Sequence, residues 1–226
     1  MGNACARRLC RDHHVVIADI KGAQEAAAAL GNESIGVKLD ISDDEQCQNL
    51  AAVARQAGEI RILIHCAGIL LPRPKLADLT VAQWNQTISI DLTGTFFVVK
   101  AFVPVLADGA SVVLYSSRVA RTGLAGLEIT DACLGDYCAA KAGVSSLVRS
   151  FAYELAPRKI RVNGIAPGPI KTPMMTDERA ALVAKKVPLG RCGTPEELAA
   201  CTTFLCSADA AFITGHILEV NGGMTM

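Results

Sequence analysis

The stretch IRVNGIAPGPI, residues 160–170, is a short run rich in β-branched residues that passes directly into a loop of Pro and Gly. The run Ile160–Ile165 predicts a strand, because β-branched runs bounded by Pro and Gly are typical of strands. Before it, Ser111–Tyr115 predicts another strand and Asp136–Leu155 a long helix. Strand, helix and strand in this order predict two parallel strands joined by a helical crossover.

The same alternation of short and long apolar segments extends toward both ends of the chain. Further strands are predicted at His14–Ala18, Ile35–Leu39, Arg61–His65 and His216–Val220. Further helices are predicted at Gln24–Leu30, from about Asp43 to Gln56, at Thr80–Val105 and at Pro195–Ser207. Thr80 and Gln83 have the spacing of a capping box. The length of 226 residues and this alternation predict one α/β domain with a parallel sheet, spanning residues 1–226.

The composition excludes several classes of partner. The chain has 22 Lys and Arg against 22 Asp and Glu, which gives no electrostatic reason to expect nucleic acid or an anionic membrane. No apolar run approaches the roughly 20 residues of a membrane span. The nine cysteines form no CxxC pair, no signal peptide precedes them, and the four histidines lack ligand spacing. We therefore expect a cytoplasmic protein with free thiols and no metal site.

Tyr137 and Lys141, in the sequence YCAAK, are four residues apart on a predicted helix and so share one face. Tyrosine normally keeps its proton until about pH 10, but a neighbouring ammonium favours the phenolate and lowers the tyrosine pKa. Such a tyrosine exchanges protons with an alcohol or a carbonyl near neutral pH. Taken alone, this short pattern is explained better by a surface Tyr–Lys pair on an amphipathic helix.

Other polar residues and loops follow the predicted strands, where ligands bind in open α/β sheets. Ser116 and Ser117 end one strand, and their hydroxyls would reach a ligand lying across the sheet edge. A single serine there is otherwise a helix cap or a turn former. The sequence Pro-Gly-Pro at 167–169 follows another strand, with Thr172 able to reach a phosphate or an amide. Each observation is weak, but together their order and placement are specific.

With these residues in place, the chain resembles the short-chain dehydrogenase/reductase family over nearly its whole length, and within it the 3-oxoacyl-carrier-protein reductase-like branch. The resemblance rests on HCAG (65–68), LYSS (114–117), YCAAK (137–141), RVNGIAPGPIKTPM (161–174) and ITGHILEVNGG (213–223). It implies a Rossmann-type doubly wound parallel sheet and a nicotinamide cofactor. The implied activity is hydride transfer between NAD(H) and a secondary alcohol or ketone.

The resemblance also implies roles for individual residues. Ser117 would hydrogen-bond the substrate oxygen and Tyr137 would transfer the proton. Lys141 would lower the tyrosine pKa and hold the nicotinamide ribose. The loop from Pro167 through Gly168 and Ile170 to Thr172 would line the nicotinamide and the diphosphate.

The cofactor preference follows from charge. Asp19 closes a predicted strand, where an acidic side chain accepts hydrogen bonds from the adenosine ribose and repels a 2′-phosphate. NAD(H) is therefore favoured over NADP(H), unless Asp19 only caps the following turn. Asp40 and Ile41 resemble the family's adenine-contacting pair. Cys66, Ala67 and Gly68 would lie near the adenosine, with Cys66 a tolerated small residue rather than a reactive thiol.

The start of the chain departs from the family pattern. Gly2 fits the last glycine of the TGxxxGxG loop, whose amides bind the pyrophosphate, but most of that loop and a strand of about 5 to 6 residues have no counterpart. That strand would lie between the strands near His14 and Arg61. One hypothesis is that the native protein is longer. The alternative is a truncated form that folds poorly or binds cofactor weakly.

Two further departures concern the site. Asp91 stands where the family usually has Asn, in a position that helps to hold a water near the lysine. An ionised Asp accepts hydrogen bonds but cannot donate them, and it would stabilise charged Lys141. Ser117 and Tyr137 are also 20 positions apart, longer than the family interval, so residues 127–134 predict either a lid or pocket wall, or an ordinary surface loop.

Alternatives to catalysis remain open at this point. A non-catalytic relative that keeps the fold, or an inactive truncated product, would share most of these motifs. The helices at Thr80–Val105 and Asp136–Leu155 resemble those that build dimer interfaces in the family, so a homotetramer or homodimer is expected. The resemblance implies a small-molecule alcohol or ketone as the substrate, and its identity would depend on the segments 127–134 and 173–190, both predicted to be irregular.

Overall fold

The computed structural model describes residues 1–71, 75–123, 134–172 and 175–225, and it has the α/β architecture that the sequence predicts. Its strands are β1 Val16–Asp19, β2 Ile35–Lys38, β3 Ile60–His65, β4 Leu106–Tyr115, β5 Arg161–Pro167 and β6 Ile217–Val220. Its helices are α1 Gly2–Leu9, α2 Ala23–Leu30, α3 Asp44–Ala57, α4 Val81–Thr87, α5 Gly94–Phe102, α6 Val119–Thr122, α7 Gly135–Leu155, α8 Asp177–Ala184 and α9 Pro195–Cys206.

The described strands pair in parallel. β3, β4, β5 and β6 lie side by side in that order, and β1 pairs with β2. Within the described residues, β1 and β3 are not paired with each other, so the strands form two separate parts. In the family fold, the strand that has no counterpart in this sequence would lie between β1 and β3. Val16 and Val37 of the smaller part nevertheless pack on the core cluster that contains Leu63 and Leu114.

The larger part of the sheet is covered by helices on both faces. Val112 and Leu114 of β4 belong to the cluster that contains Val144 of α7, whereas Val113, between them, packs in the cluster that contains Leu198 of α9. Successive residues of a strand point to opposite faces, so a strand covered on both sides is apolar throughout instead of alternating. This arrangement confirms the predicted doubly wound fold.

Side-chain caps explain where several helices begin. Thr80 and Gln83 form the predicted capping box at the start of α4, with the Thr80 hydroxyl accepting from the Gln83 amide and the Gln83 side chain accepting from the Thr80 amide. Thr194 and Glu197 form a second capping box at α9, which also has Pro at its first position. Each box satisfies amide groups that have no partner within the helix.

Three elements differ from the prediction. The helix predicted at Thr80–Val105 consists of α4, a π-helical segment Ile88–Thr93 and α5, and it ends at Phe102 because Pro104 disfavours helical continuation. The segment 173–190, predicted to be irregular, contains α8, which is capped by the Thr176 hydroxyl. β4 begins at Leu106 rather than Ser111, with an irregular register opposite β3. Residues 124–133, which hold nearly all of the predicted 127–134 excursion, lie outside the described residues.

The described ranges contain neither a candidate membrane span nor a candidate metal cluster. None of the helices there combines the length and the apolar character of a membrane span. In the same ranges, no group of three or more His, Cys, Asp and Glu side chains is placed to hold a metal ion.

His65, at the end of β3, is a buried polar residue that the sequence did not single out. Its Nε2 lies 3.1 Å from the Thr95 hydroxyl oxygen of α5, so the ring joins the sheet to a helix. Burial, with a smaller contribution from the charge of Lys141, lowers the pKa of His65 to about 3. The imidazole is therefore neutral in the folded protein across the physiological range.

This burial predicts a specific pH dependence of stability. Below its ordinary pKa of 6.5 His65 binds a proton in the unfolded chain but not in the folded protein, so stability falls as the pH drops from 6.5 toward 3. The slope from this one group approaches about 1.4 kcal/mol per pH unit. His65→Asn should flatten the dependence of the unfolding free energy on pH by that amount, measured by urea denaturation between pH 7 and about pH 5.

The matched control is His13→Asn, because His13 is exposed at the surface. This variant should keep the steep pH dependence of the natural protein. Equal slopes for the natural protein and His65→Asn would contradict the assignment of a neutral buried His65.

Candidate active site

The backbone after β4 is held in place by the neighbouring strand. The Ser116 amide donates to the Ile165 carbonyl at 2.8 Å, and the Arg118 amide donates to the Pro167 carbonyl at 3.2 Å. The parallel ladder therefore continues past the end of β4 and fixes Ser117 between two anchored residues. Ser117 is half-buried and lies beyond the carboxyl end of the sheet, where ligands bind in folds of this type.

The two adjacent serines have different surroundings. Ser116 is buried, and its hydroxyl donates to the Lys141 carbonyl at 2.9 Å and lies 2.7 Å from the Ser145 hydroxyl oxygen. It therefore joins β4 to α7. Ser117 instead hydrogen-bonds the Tyr137 hydroxyl, an interaction that acts to lower the pKa of Tyr137. The structure thus brings together Ser117 and Tyr137, as the sequence predicts, and gives Ser116 a structural role.

Tyr137 and Lys141 share one face of α7. The Lys141 ammonium lies 5.6 Å from the centroid of the Tyr137 ring, and it donates to the Tyr115 carbonyl at 3.3 Å. Burial is the main cause that lowers the pKa of Lys141, and the charge of Asp91 opposes it. The carbonyl and the carboxylate both favour the protonated form of this buried amine.

The electrostatics at Tyr137 differ from the sequence-based expectation. Burial, followed by the charge of Asp91, raises the pKa of Tyr137 to about 12, while the bond from Ser117 lowers it. The expected lowering by Lys141 is not among these effects. The phenol is therefore protonated at neutral pH, the state in which it donates a proton.

The charged groups of Asp91 and Lys141 both lie next to Gly68. Asp91 is completely buried in the π-helical segment, and its Oδ1 accepts from the Ile69 amide at 2.7 Å. A Cβ built on Gly68 would lie 2.8 Å from Asp91 Oδ1 and 3.0 Å from Lys141 Nζ. A carboxylate and an ammonium thus lie against the same backbone position, and any side chain at 68 would displace one of them.

The loop that follows β5 is packed closely against the end of β6. The Gly168 amide donates to the Val220 carbonyl at 3.0 Å, and a Cβ on Gly168 would come within 2.6 Å of Asn221 Cα. Ile170 is buried and forms an isolated parallel bridge with Gly193. Pro167 and Thr172 at the two ends of this loop are partly exposed, so the loop presents them on a backbone fixed by the strand beneath.

The residues expected near the adenosine differ in how far they are exposed to solvent. Asp19 is exposed, and its Oδ1 accepts from the Lys21 amide at 3.0 Å, which is the turn-capping arrangement considered from the sequence. Asp40 is half-buried, with Oδ1 accepting from the amide and the hydroxyl of Ser42. Ile41 is buried against Gly94 of α5, so its side chain belongs to the core.

The start of α1 lies beside the segment that follows β3. A Cβ on Gly2 would lie 3.8 Å from Cys66 Cβ, so the first turn of α1 and the beginning of the Cys66–Ala67–Gly68 segment are neighbours. The structure therefore places the expected glycine and the expected adenosine segment at one location. The Ala67 side chain packs against the core cluster, which leaves the backbone at this position to contact a ligand.

Two buried charged residues near Tyr137 and Ser117 were missed by the sequence reasoning. Asp136 precedes Tyr137 and accepts from the Thr87 hydroxyl at 2.7 Å, which joins the end of α4 to the start of α7. Arg118 follows Ser117, and burial lowers the pKa of its guanidinium. An acidic residue in the first turn of a helix was a usable signal for Asp136, whereas nothing in the pattern indicates that Arg118 is buried.

Known proteins resemble this chain over nearly its whole length. A family model described as "Enoyl-(Acyl carrier protein) reductase" matches residues 1–225. The cis-4-hydroxycyclohexanecarboxylate dehydrogenase of Sinomonas cyclohexanicum is 38% identical over 236 residues, covering 100% of this chain and 92% of that protein. The 3-oxoacyl-[acyl-carrier-protein] reductase of Haemophilus influenzae is 34% identical, covering 99% of this chain and 93% of that protein.

Solved structures show the same likeness. The structure of a short-chain dehydrogenase/reductase from Brucella melitensis, named as a glucose/ribitol dehydrogenase, matches this chain with a TM-score of 0.89 at 35% identity. The match covers 100% of this chain and 92% of that chain. A blue fluorescent protein from a metagenomic library, in complex with NADPH, has a TM-score of 0.88 at 26% identity and covers 100% and 93%. The chain belongs to the short-chain dehydrogenase/reductase family of oxidoreductases.

Proposed function

We propose that this protein transfers a hydride between NAD(H) and a secondary alcohol or ketone, with Ser117, Tyr137 and Lys141 as the proton-transfer site. The observation that carries the proposal is the convergence of the Ser117 and Tyr137 hydroxyls beyond the end of β4, with the buried Lys141 ammonium on the same face of α7. In this arrangement Ser117 orients and polarises the substrate oxygen, and Tyr137 donates a proton to it or accepts one from it.

The protonation state of Tyr137 bears on the direction of the reaction. With its pKa raised to about 12, the phenol is a ready proton donor to a carbonyl oxygen at neutral pH. To serve as a base toward an alcohol, the same hydroxyl must lose its proton, which the charge of Asp91 disfavours and the bond from Ser117 favours. In the protein without cofactor, Tyr137 is therefore in the protonated form that carbonyl reduction requires.

The described residues fit a dinucleotide at several points. Gly2 opens α1, whose amides favour a phosphate, and Gly68 leaves a backbone surface free of side chains beside Lys141. Pro167, Gly168, Ile170 and Thr172 would line the nicotinamide and the diphosphate, as the family resemblance implies. NAD(H), when bound, supplies the hydride donor or acceptor, and Asp19 at the end of β1 would favour it over NADP(H).

The relatives suggest which substrates to try first. Their names point to 3-oxoacyl thioesters and to hydroxycyclohexanecarboxylates, which share a secondary alcohol or ketone. Soluble cytoplasmic location and a homo-oligomer are part of the same proposal. Exposed apolar side chains on the predicted interface helices support the oligomer: Val81, Trp84, Phe96 and Tyr153.

Replacing Tyr137 tests the proton-transfer role directly. Tyr137→Phe keeps the ring but removes the hydroxyl, so kcat for ketone reduction should fall by about 100- to 10,000-fold. Tyr153→Phe is the matched control, because Tyr153 is 88% exposed on the same helix, and its kcat should be unchanged. NADH oxidation followed at 340 nm with a 3-oxoacyl thioester, or with the ketone that corresponds to a hydroxycyclohexanecarboxylate, provides the measurement. Turnover in the natural protein that survives Tyr137→Phe would refute the role, and no turnover at all would support a non-catalytic relative.

Replacing Asp91 tests the electrostatics of the site. In Asp91→Asn, the charge that raises the pKa of Tyr137 is gone, so the phenolate forms at lower pH. Activity should persist, and the acid limb of the kcat profile for alcohol oxidation should move to lower pH. Asp44→Asn is the control, because Asp44 pairs with Lys100 on the surface. A pH profile of kcat that is identical in Asp91→Asn and the natural protein would show that Asp91 does not influence proton transfer by Tyr137.

Replacing Asp19 tests the cofactor preference. A carboxylate repels a 2′-phosphate, so Asp19→Ser should lower the ratio of kcat/KM with NADH to that with NADPH by about tenfold or more. Serine can still cap the turn, which separates the charge from the capping role. Asp12→Ser, at another exposed carboxylate, should leave the ratio unchanged. A preference for NADPH in the natural protein would overturn the assignment of Asp19.

The homo-oligomer is tested by its mass in solution. Multi-angle light scattering should give two or four times the 23.7 kDa chain mass. Phe96→Arg places a charge on the proposed interface and should shift the mass toward that of one chain. Leu182→Arg, on the exposed side of α8, should not. A natural protein that elutes with the mass of a single chain would contradict the proposed assembly.

A further inference from the structure

The end of β3 and the loop after it contact one stretch of the neighbouring helix at two places. His65 Nε2, at the end of the strand, lies 3.1 Å from the Thr95 hydroxyl oxygen of α5. The Ile69 amide, in the loop, donates to Asp91 Oδ1 at 2.7 Å. Thr95 is four residues after Asp91, and its hydroxyl donates to the Asp91 carbonyl at 2.8 Å. The contact from the strand and the contact from the loop therefore both lead to Asp91.

The chemistry of these groups fixes the direction of each hydrogen bond. A carbonyl oxygen only accepts, so the single Thr95 hydroxyl hydrogen is used in the bond to Asp91. The Thr95 oxygen then accepts from His65, which requires the proton of the neutral imidazole to be on Nε2. His65 and Thr95 are both buried. The imidazole thus donates to the hydroxyl, and the hydroxyl donates to the Asp91 backbone.

The backbone at Asp91 has an uncommon conformation that needs support from its surroundings. Asp91 lies in the π-helical segment Ile88–Thr93, and π-helical turns are rare. At the end of this segment Gly94 packs so closely on Ile41 that a Cβ would lie 2.9 Å from Ile41 Cγ1. The relay from the end of β3 acts inside the segment, on the Asp91 carbonyl itself, and so it bears on where the Asp91 carboxylate points.

The position of this carboxylate determines the electrostatic surroundings of Lys141. A Cβ on Gly68 would lie 2.8 Å from Asp91 Oδ1 and 3.0 Å from Lys141 Nζ, so both charged groups lie against one backbone atom. The charge of Asp91 favours the protonated form of Lys141 and raises the pKa of Tyr137. Interactions between charges weaken with distance, so a shift of the Asp91 backbone would change both effects.

We propose that His65 is a positioning residue, which acts through the Thr95 hydroxyl to hold the Asp91 carboxylate beside Gly68 and Lys141. The effect on the reaction rests on the proposed function. The hydrogen-bond relay does not, because its strength is measurable in the protein without cofactor or substrate. The experiments below therefore separate a failure of the relay from a failure of the proposed function.

Hydrogen exchange at the Ile69 amide tests the relay. Exchange there requires that the amide separate from Asp91 Oδ1, so it reports how firmly the carboxylate is held. In His65→Asn the side-chain amide corresponds to Nδ1 and does not reach Thr95, so exchange at Ile69 should be faster by about tenfold. His65→Gln places its amide nitrogen the same number of bonds from Cα as Nε2, and it should restore the natural rate.

Two results would overturn the proposal, whether or not the protein turns over a substrate. One is an Ile69 exchange rate that is the same in His65→Asn and the natural protein, or that His65→Gln does not restore. The other is an increase in His65→Asn of equal size at Ile69 and at the amides of β5 and β6, which would indicate a general loss of stability.

A second variant breaks the relay at its middle and leaves the imidazole in place. Thr95→Val removes the hydroxyl but keeps the branched shape, so Ile69 should again exchange about tenfold faster. Thr203→Val is the matched control, because the Thr203 hydroxyl also donates to the carbonyl four residues earlier, that of Ala199, but in α9. Its Ile69 exchange should be unchanged. Natural exchange in Thr95→Val would contradict a route through this hydroxyl.

Kinetics test whether His65 acts through the charge of Asp91. In His65→Asn the acid limb of the kcat profile for alcohol oxidation should move to lower pH, as expected for Asp91→Asn. Adding His65→Asn to Asp91→Asn should cause no further movement, because the charge is already absent. His65 itself stays neutral over this range, and the other titratable neighbours, Cys138 for Tyr137 and Cys66 for Lys141, are the same in every variant. Movements that add in the double variant would contradict action through Asp91.

Discussion

The approach of the Gly68 backbone to Asp91 and Lys141 is the contact on which the site depends. It places a buried carboxylate and a buried ammonium at one point beyond the end of β3, and Lys141 in turn shares a helix face with Tyr137. Isolated buried charges are very costly, so such groups persist only with partners, here the Ile69 amide and the Tyr115 carbonyl. The backbone around Gly68 therefore sets the electrostatics of the proposed reaction.

Much of the framework follows from the sequence. The short β-branched runs, with Pro or Gly after them, predict the described strands to within a few residues, apart from the start of β4. This works because a strand buried on both faces leaves a continuous apolar pattern. The spacing of Tyr137 and Lys141 predicts a shared helix face, since that relation depends only on helix geometry. The capping box at Thr80 is equally local. Each of these predictions needs no knowledge of what packs against the element.

The remainder depends on tertiary contacts. The π-helical segment that buries Asp91 and the register irregularity between β3 and β4 arise from packing between elements and leave no periodic mark. The raised pKa of Tyr137 is a result of burial, which the spacing of Tyr137 and Lys141 does not reveal. The same holds for His65, whose burial against Thr95 of α5 depends on how the sheet and the helix pack together.

The most direct test of the account is the fate of a labelled hydride. The protein is incubated with NADH that carries deuterium at both C4 positions of the nicotinamide and with a ketone substrate of the relatives' class, and the product alcohol is analysed by mass spectrometry. The account predicts one deuterium on the carbinol carbon of the product, formed by the natural protein and nearly lost in Tyr137→Phe. A product alcohol without deuterium, or no product above the protein-free control, would contradict hydride transfer at this site.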